Sequence, residues 1–371
     1  MKLVESLYIH FPFCRHLCNY CDFHKSIISS EKLDDFESLF IQQFEKNNEY
    51  LKRNGFQFGD LKTIYIGGGT PSLWGARGIK LINKLLKTQK IKLSNEFEWT
   101  SELNPGSWKK DDLLEMLDLG VNRFSVGVQS MNPETLKLLD RVHSIDDVHQ
   151  TLSLVNKLGV NFSVDLMMGL PKRQRNERDL IGETKQLLEY DPNHLSSYIL
   201  TVNKNYLHYS SLPEEEQTSS EFMQLSEFLT ANKFNHYEVS NFALSGFESE
   251  HNLQYWKQNS VAALGPSGTG FLRESKTSAL RYKWKTNGKA ELTEEALGKK
   301  ELSLEDLYLS LRTSAPVDLS NYLNFNDEVD EIINDWTKYQ VVRRVESSTI
   351  QVLPKGFLLL DSLIGDLFKF I

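Results

Sequence analysis

All three cysteines of the chain fall within one short stretch, Cys14-Arg15-His16-Leu17-Cys18-Asn19-Tyr20-Cys21. Steps of four and three residues, just after an apolar segment from Leu3 to Phe13, let the thiols converge on one centre when the chain makes a loop. Thiolate is a soft ligand suited to zinc, copper(I) or iron–sulfur. A structural zinc site closes its tetrahedron with a fourth protein ligand, which His10, His16 or His24 can supply. A 4Fe-4S cluster on three thiolates instead leaves one iron open to an exogenous ligand, a departure from the usual four-cysteine ligation. The spacing favours iron–sulfur and leaves zinc open, and no thiol remains for a disulfide.

Other groups with chemical potential recur at the ends of apolar runs. Gly67-Gly68-Gly69-Thr70-Pro71-Ser72 lets backbone groups approach a ligand that side chains would exclude, although a plain strand-to-helix turn explains it equally well. It lacks the Gly-Lys-Ser/Thr of a Walker loop and the later glycine of a dinucleotide fingerprint. Glu102-Leu103-Asn104-Pro105-Gly106 offers acceptors for hydroxyls or an ammonium. Gly127-Val128-Gln129-Ser130, Arg141 and Asp165 follow. One polar residue at a strand end is unremarkable, but several beside a glycine loop and a thiol loop suggest a shared pocket.

The elements that must position these groups alternate short Ile/Val/Tyr/Phe-rich runs with longer amphipathic stretches, the pattern of parallel strands joined by crossover helices. The pattern predicts strands at Ser6–Phe11, Thr63–Ile66, Phe97–Glu102, Arg123–Val128, Phe162–Met167 and Leu195–Leu200. Helices are predicted at Lys32–Asn54, Ile79–Thr88, Lys110–Leu119, Ile145–Leu158 and Glu177–Leu188. Ser29 or Ser30 marks one start, and Asn54-Gly55, Leu119-Gly120 and Leu158-Gly159 mark stops. This is an α/β chain with a partial (β/α)6 barrel, where active residues lie at the carboxyl ends of strands.

Beyond the barrel, a helix is expected over Glu214–Asn232 and an edge strand over Tyr237–Phe242. Arg273–Lys300, rich in Lys, Thr, Glu and Gly, reads as a joining segment. Helices around Glu305–Leu311 and Glu328–Thr337, a hairpin of Val341–Glu346 with Thr349–Leu353, and a helix over Phe357–Phe368 make a small α+β, winged-helix-like unit. The expected divisions are 1–245, 246–300 and 301–371.

Composition narrows the class. A length of 371 residues allows a large core. A net charge of −8 and a pI near 5.7 argue against a broad basic surface for nucleic acid. The opening Met1-Lys2-Leu3-Val4-Glu5 carries no secretory pattern, and no run approaches the ~18–20 apolar residues of a membrane span. Clustered thiols without an export signal point to the reducing cytoplasm.

The cysteines preceded by Tyr8-Ile9-His10-Phe11-Pro12-Phe13, then the glycine-Thr-Pro loop, Glu102, Gly127-Val128-Gln129-Ser130 and Asp165, resemble the radical S-adenosylmethionine superfamily. More narrowly, they are similar to its coproporphyrinogen III dehydrogenase branch. The resemblance implies a 4Fe-4S cluster on Cys14, Cys18 and Cys21, with S-adenosyl-L-methionine on the open iron. Carried across residue by residue, it implies cofactor contacts from Tyr8, Tyr20, Gly68, Gly69, Thr70, Glu102, Gln129, Arg141 and Asp165.

Two departures matter. The dehydrogenases have a further cysteine two residues after the third, where this chain has Phe23. His251-Asn252-Leu253-Gln254-Tyr255-Trp256 resembles instead the haem motif of the related HemW-type haem chaperones. Imidazole is a common axial ligand of haem iron, and Tyr255 shares a helical face with His251. Those chaperones also carry a glycine-rich Ala-His-Ser segment, where this chain reads Leu264-Gly265-Pro266-Ser267-Gly268-Thr269-Gly270-Phe271. The resemblance therefore implies a protein that binds haem at His251, Tyr255 and Trp256 and delivers it to haem-requiring apoproteins. A homodimer is among its implied partners, and membranes only through clients. The alternatives are an oxygen-independent coproporphyrinogen III dehydrogenase and a zinc-stapled interaction module.

Overall fold

Alternating strand residues with one apolar parity need an apolar layer on one side only, and the chain satisfies that need with crossover helices. The computed structural model describes residues 1–171 and 178–371. Its main sheet has nine strands. The six predicted strands lie side by side in chain order: β1 (Lys2–Phe11), β2 (Phe56–Gly68), β3 (Leu93–Leu103), β4 (Arg123–Gln129), β5 (Asn161–Met168) and β6 (His194–Ile199). Every neighbouring pair among them is parallel. β2 begins earlier than expected, because register shifts at Val4/Ser6 and Leu61/Thr63 carry pairing through a Gly- and Asp-containing stretch that reads as a turn.

One parity of these strands, including Ile64, Ile66, Phe124, Val126, Phe162, Val164 and Leu195, packs with Phe40, Phe44, Ile82, Leu113, Leu152 and Leu187 of the helices in one core. The helices start where their caps dictate. The Ser29 hydroxyl accepts from Lys32 N–H ahead of Ser30–Arg53, and Ser144 and Asp147 form a reciprocal box ahead of Ile145–Lys157. Glu177, the first residue of one predicted helix, lies outside the described residues, and that helix runs Leu180–Leu188 behind an Asp179 cap.

Both sheet edges are covered by later chain. Ala262–Leu264 pairs parallel to β1, with Leu7 opposite Ala262 and Ile9 opposite Leu264. The single edge strand expected over Tyr237–Phe242 is instead two short antiparallel strands, Asn235–Glu238 and Asn241–Ala243, the second paired with β6. The turn between them forms because the Glu238 carboxylate accepts from Ser240 N–H at 3.2 Å.

The joining segment expected over Arg273–Lys300 is mostly an antiparallel sheet of Thr269–Ser275, Ser278–Trp284 and Leu292–Leu297. Its inward residues Leu272, Tyr282 and Trp284 are buried, and its polar residues face outward, which disguised it as a linker. Tyr282 donates to Asn47 Oδ1 at 2.8 Å, and Trp284 Nε1 donates to the Ala263 carbonyl at 2.6 Å. After helix Lys299–Leu311 come a three-stranded sheet built on the predicted hairpin and the helices Asp327–Lys338 and Leu360–Leu367. The last predicted helix is interrupted at Leu358-Leu359. Among the described residues, no helix is long and apolar enough to cross a membrane.

Gly265 joins this later chain to β1. Its φ is +87°, and a Cβ there would overlap the His10 carbonyl. Gly246 has a similar φ of +85° but open space around it. Gly265→Ala is expected to lower unfolding free energy by about 2 kcal/mol more than Gly246→Ala. Urea midpoints at unchanged m-value measure the difference.

Candidate functional site

The thiol loop leaves β1 and is stapled at both ends. Phe13–Cys14 pairs with Ser26–Ile27, Ser26 N–H donates to the Pro12 carbonyl at 2.7 Å, and Ile28 N–H donates to Cys14 at 3.0 Å. Between the staples, Cys21 N–H donates to the Cys18 carbonyl at 3.3 Å, and Lys25 Nζ donates to the Cys21 carbonyl. The three thiols are neighbours. Burial pushes the Cys14 thiol up, a Thr70 hydrogen bond opposes this, and the other two cysteines raise it further. Burial also raises Cys18, against the charge and hydrogen bond of Arg141. Among the described residues, no three His, Cys, Asp or Glu side chains gather around a point fit for a single metal ion. Two histidines considered as a fourth zinc ligand are engaged elsewhere: His10 with Tyr8 OH at 3.0 Å and the His24 carbonyl at 2.9 Å, and His16 with Asp140 at 2.8 Å.

The glycine run is fitted to this loop. Gly69 and Thr70 N–H groups donate to the Phe11 and Phe13 carbonyls at 2.7 and 2.8 Å. A Cβ on Gly69 would sit 2.5 Å from the Phe13 oxygen, and one on Gly67 would sit 2.8 Å from Glu102 Oε1. Gly68 has φ +114°, and its N–H donates to Glu102 Oε2 at 3.1 Å. Only glycine permits this approach.

Across the sheet, the polar parity forms a ladder. Glu102 of β3 stands opposite Ser125 of β4, which stands opposite Ser163 of β5, which stands opposite His194 of β6. One level on, Gly127 stands opposite Asp165, and Asp165 opposite Ser196. Tyr65 OH donates to Glu102 Oε1 at 3.1 Å, and Ser125 donates to both Asp165 oxygens at 3.1 and 2.9 Å. Burial raises the Glu102 carboxyl to about 7, and the nearby Asp165 charge adds to this. Burial likewise raises Asp165, against the Ser125 hydrogen bond.

Gln129 adopts φ +68° at a register shift between β4 and β5, a strained bulge of the kind that re-aims a side chain. Arg141 bridges to this end of the barrel, donating to Asn104 Oδ1 at 3.1 Å and to the Gly127 carbonyl at 3.0 Å. The same guanidinium lies beside Cys18 and Tyr20. Burial pushes Tyr20 up to about 12. Thus Gly68, Gly69, Thr70, Glu102, Arg141, Cys14, Cys18 and Tyr20 form one connected set, with Tyr8, Gln129 and Asp165 on the same strand ends.

The downstream motif forms the short helix Glu250–Trp256, whose first N–H groups, from Glu250 and His251, donate to the Glu98 carboxylate at 3.0 and 3.2 Å. His251 is 1% exposed. Its Nδ1 meets Thr63 Oγ1 at 2.8 Å, its Nε2 meets Tyr255 OH at 3.2 Å, and its ring stacks on Tyr65. Burial, with Arg123 adding, depresses its pKa to about 3. Trp256 lies against the Arg312 guanidinium, 4.8 Å from the ring centroid. His251 and Tyr255 therefore share one buried cluster, while Trp256 faces different surroundings. Tyr255 alone reaches a cavity of about 510 Å³, which it lines with Tyr8, His10, Phe23 and His24.

The radical SAM superfamily pattern matches residues 8–183. A heme chaperone HemW of Lactococcus lactis is 30% identical over 95% of this chain and 94% of its own length. The chain belongs to the HemW family of the radical SAM superfamily. The Escherichia coli HemW is 35% identical over 71% of this chain and 69% of its own length. The solved structure of E. coli coproporphyrinogen III oxidase, a radical SAM enzyme, superposes with a TM-score of 0.79 at 21% identity, covering 99% of this chain and 90% of that one. That likeness extends to the fold alone.

In this member of the HemW family, sequence reasoning overlooked the partners that hold the named residues: Tyr65 on Glu102, Ser125 on Asp165, Glu98 under the His251 helix, and Thr63 on His251. The signal was present in the period-two recurrence of polar residues, Thr63-x-Tyr65 in β2 and Arg123-x-Ser125 in β4, at the parity opposite the apolar one. Glu102 supplies a test in the ligand-free protein. Its folded pKa is raised, so the folded state keeps a proton that the unfolded chain releases. Wild type is therefore expected to lose about 1–3 kcal/mol relative to Glu102→Gln as pH rises between roughly 4.5 and 7, with no further change above. The lost Gly68 acceptor in the variant adds an offset independent of pH. Urea unfolding across the pH range measures the slope.

Proposed function

We propose that the chain is a haem carrier of the cytoplasm that binds haem and hands it to haem-requiring apoproteins. The observation that carries this reading is its almost end-to-end likeness to a protein named as a haem chaperone. Phe23 supports it: this side chain is 68% exposed beside the thiol loop, at the position where the dehydrogenase pattern has a cysteine. A homodimer, and approach to membranes only through client proteins, belong to the same reading.

We further infer that Cys14, Cys18 and Cys21 hold a 4Fe-4S cluster. Their chemistry fits: three neighbouring free thiols on a stapled loop, with the Arg141 cation beside Cys18 to favour thiolate. S-adenosylmethionine would lie against Gly68, Gly69 and Thr70, among Tyr8, Tyr20, Glu102, Gln129, Arg141 and Asp165. When bound, the cluster and this cofactor supply one-electron and radical chemistry. The chain's own part is positional. The missing side chains of Gly67 and Gly69 let the loop close on Glu102 and Phe13, and the Glu102 carboxylate accepts from Tyr65 and from Gly68 N–H. A cofactor ammonium beside Glu102 would draw its pKa back down, because an opposite charge favours the ionised form. His251 organises the wall beneath the cavity through Thr63, Tyr65 and Tyr255, and direct ligation of iron by His251 requires release of its Tyr255 bond.

Titration of the full chain with haemin is expected to give a saturable Soret band. Anaerobic reconstitution is expected to load iron and sulfide into wild type and to leave Cys18→Ala deficient in both. Zinc without iron after anaerobic purification would favour the interaction-module reading. Decarboxylated product from coproporphyrinogen, above the Cys18→Ala control, would favour the dehydrogenase.

A further inference from the structure

Both ring nitrogens of His251 are occupied inside the protein, which raises the question of which side chain meets the iron of a bound haem. We propose that this is His24, at the lip of the cavity beside the thiol loop, with Lys283 facing the haem carboxylates. The proposal rests on the haem-carrier reading above and names its site.

The cavity, at about 510 Å³, is within the usual range for a small-molecule site. Phe23 and Phe271 offer flat apolar surface, and Tyr8 and Tyr255 add aromatic edges. His24 and Lys283 line the same space. The His24 ring is exposed, and among the described residues neither of its nitrogens has a hydrogen-bond partner. Its backbone is nonetheless fixed: His10 Nε2 bonds the His24 carbonyl at 2.9 Å, and the Phe13–Cys14 pairing with Ser26–Ile27 closes the loop two residues later. A free imidazole on an anchored backbone is what an axial ligand needs. Burial and the Lys283 charge both depress its pKa, which favours the neutral, ligating form.

Lys283 is the cation left over for an anionic ligand. Two carboxylates at the cavity are already neutralised, Glu305 by Arg281 through two 2.6 Å bonds and Asp306 by Arg273, which lies outside the lining, at 2.5 Å. Among the described residues Lys283 has no side-chain partner, while Asp22 stands unpaired at the cavity wall. A planar macrocycle with an apolar body, a ligatable metal and carboxylates at one edge matches this lining. Phe23 has a role at the same cavity: where a thiol would offer a ligand or nucleophile, it offers a face for stacking.

The experiment titrates the full chain with haemin and, separately, with metal-free protoporphyrin IX, which keeps the carboxylates and the ring but has no iron. Wild type, His24→Ala, His251→Ala and Lys283→Glu are compared, with unfolding curves to confirm that each variant is folded. His24→Ala is expected to weaken haemin about tenfold or more and to shift its Soret band, while changing protoporphyrin IX affinity less than about twofold. Lys283→Glu is expected to weaken both ligands. Wild-type haemin affinity and spectrum in His24→Ala, with loss in folded His251→Ala, would overturn the assignment. Absence of haemin binding by wild type would instead remove the haem-carrier reading on which the assignment stands.

Discussion

Two backbone hydrogen bonds, from Gly69 and Thr70 to the carbonyls of Phe11 and Phe13, hold the candidate site together. Each contributes about 1 kcal/mol in isolation, but their geometric consequence is larger. They set the end of β2 against the start of the thiol loop, so that Thr70 reaches Cys14 and Gly68 reaches Glu102. Asn104 then donates to Thr70 at 3.0 Å and accepts from Arg141, which returns to Cys18. A circuit of contacts thus passes through four segments distant in sequence. The missing Cβ atoms of Gly67 and Gly69 are its steric condition.

The remaining site residues hang on a sheet with two unlike faces. Its outer parity is apolar and packs under the helices, contributing the large favourable term in folding. Its inner parity buries carboxylates, a guanidinium and imidazoles, each of which costs free energy unless it is paired. Hydroxyls from Ser125, Ser163 and Tyr65 do the pairing, and Arg123 reaches Thr100 at 3.3 Å. Such networks fix side-chain directions before a ligand arrives.

Much of this was legible in the residues. The six barrel strands were found in the right order because β-rich runs alternate with capped helices, and local capping chemistry does not depend on tertiary context. The thiols, glycines and strand-end acids stood out by type and spacing. What escaped was set by distant contacts. Arg273–Lys300 looked like a linker because its polar face was visible in the composition, whereas the packing of Tyr282 on Asn47 was not. The His251 motif was recognisable, but its direction was not, since that follows from the docking of its helix on Glu98. The cavity too exists only where the loop after β1 meets a sheet formed roughly 250 residues later.

The strand Ala262–Leu264 has a consequence for how the chain is made. It covers the outer edge of β1, and β1 leads directly into the cysteines. Chains grow at ~5–20 residues per second, so on the order of ten seconds or more separates synthesis of Cys14 from that of its covering strand. During that interval β1 can pair with β2, but its other edge is open and the wall of the cavity does not yet exist. The register of the whole first strand is therefore completed late, when Leu264 docks against Ile9.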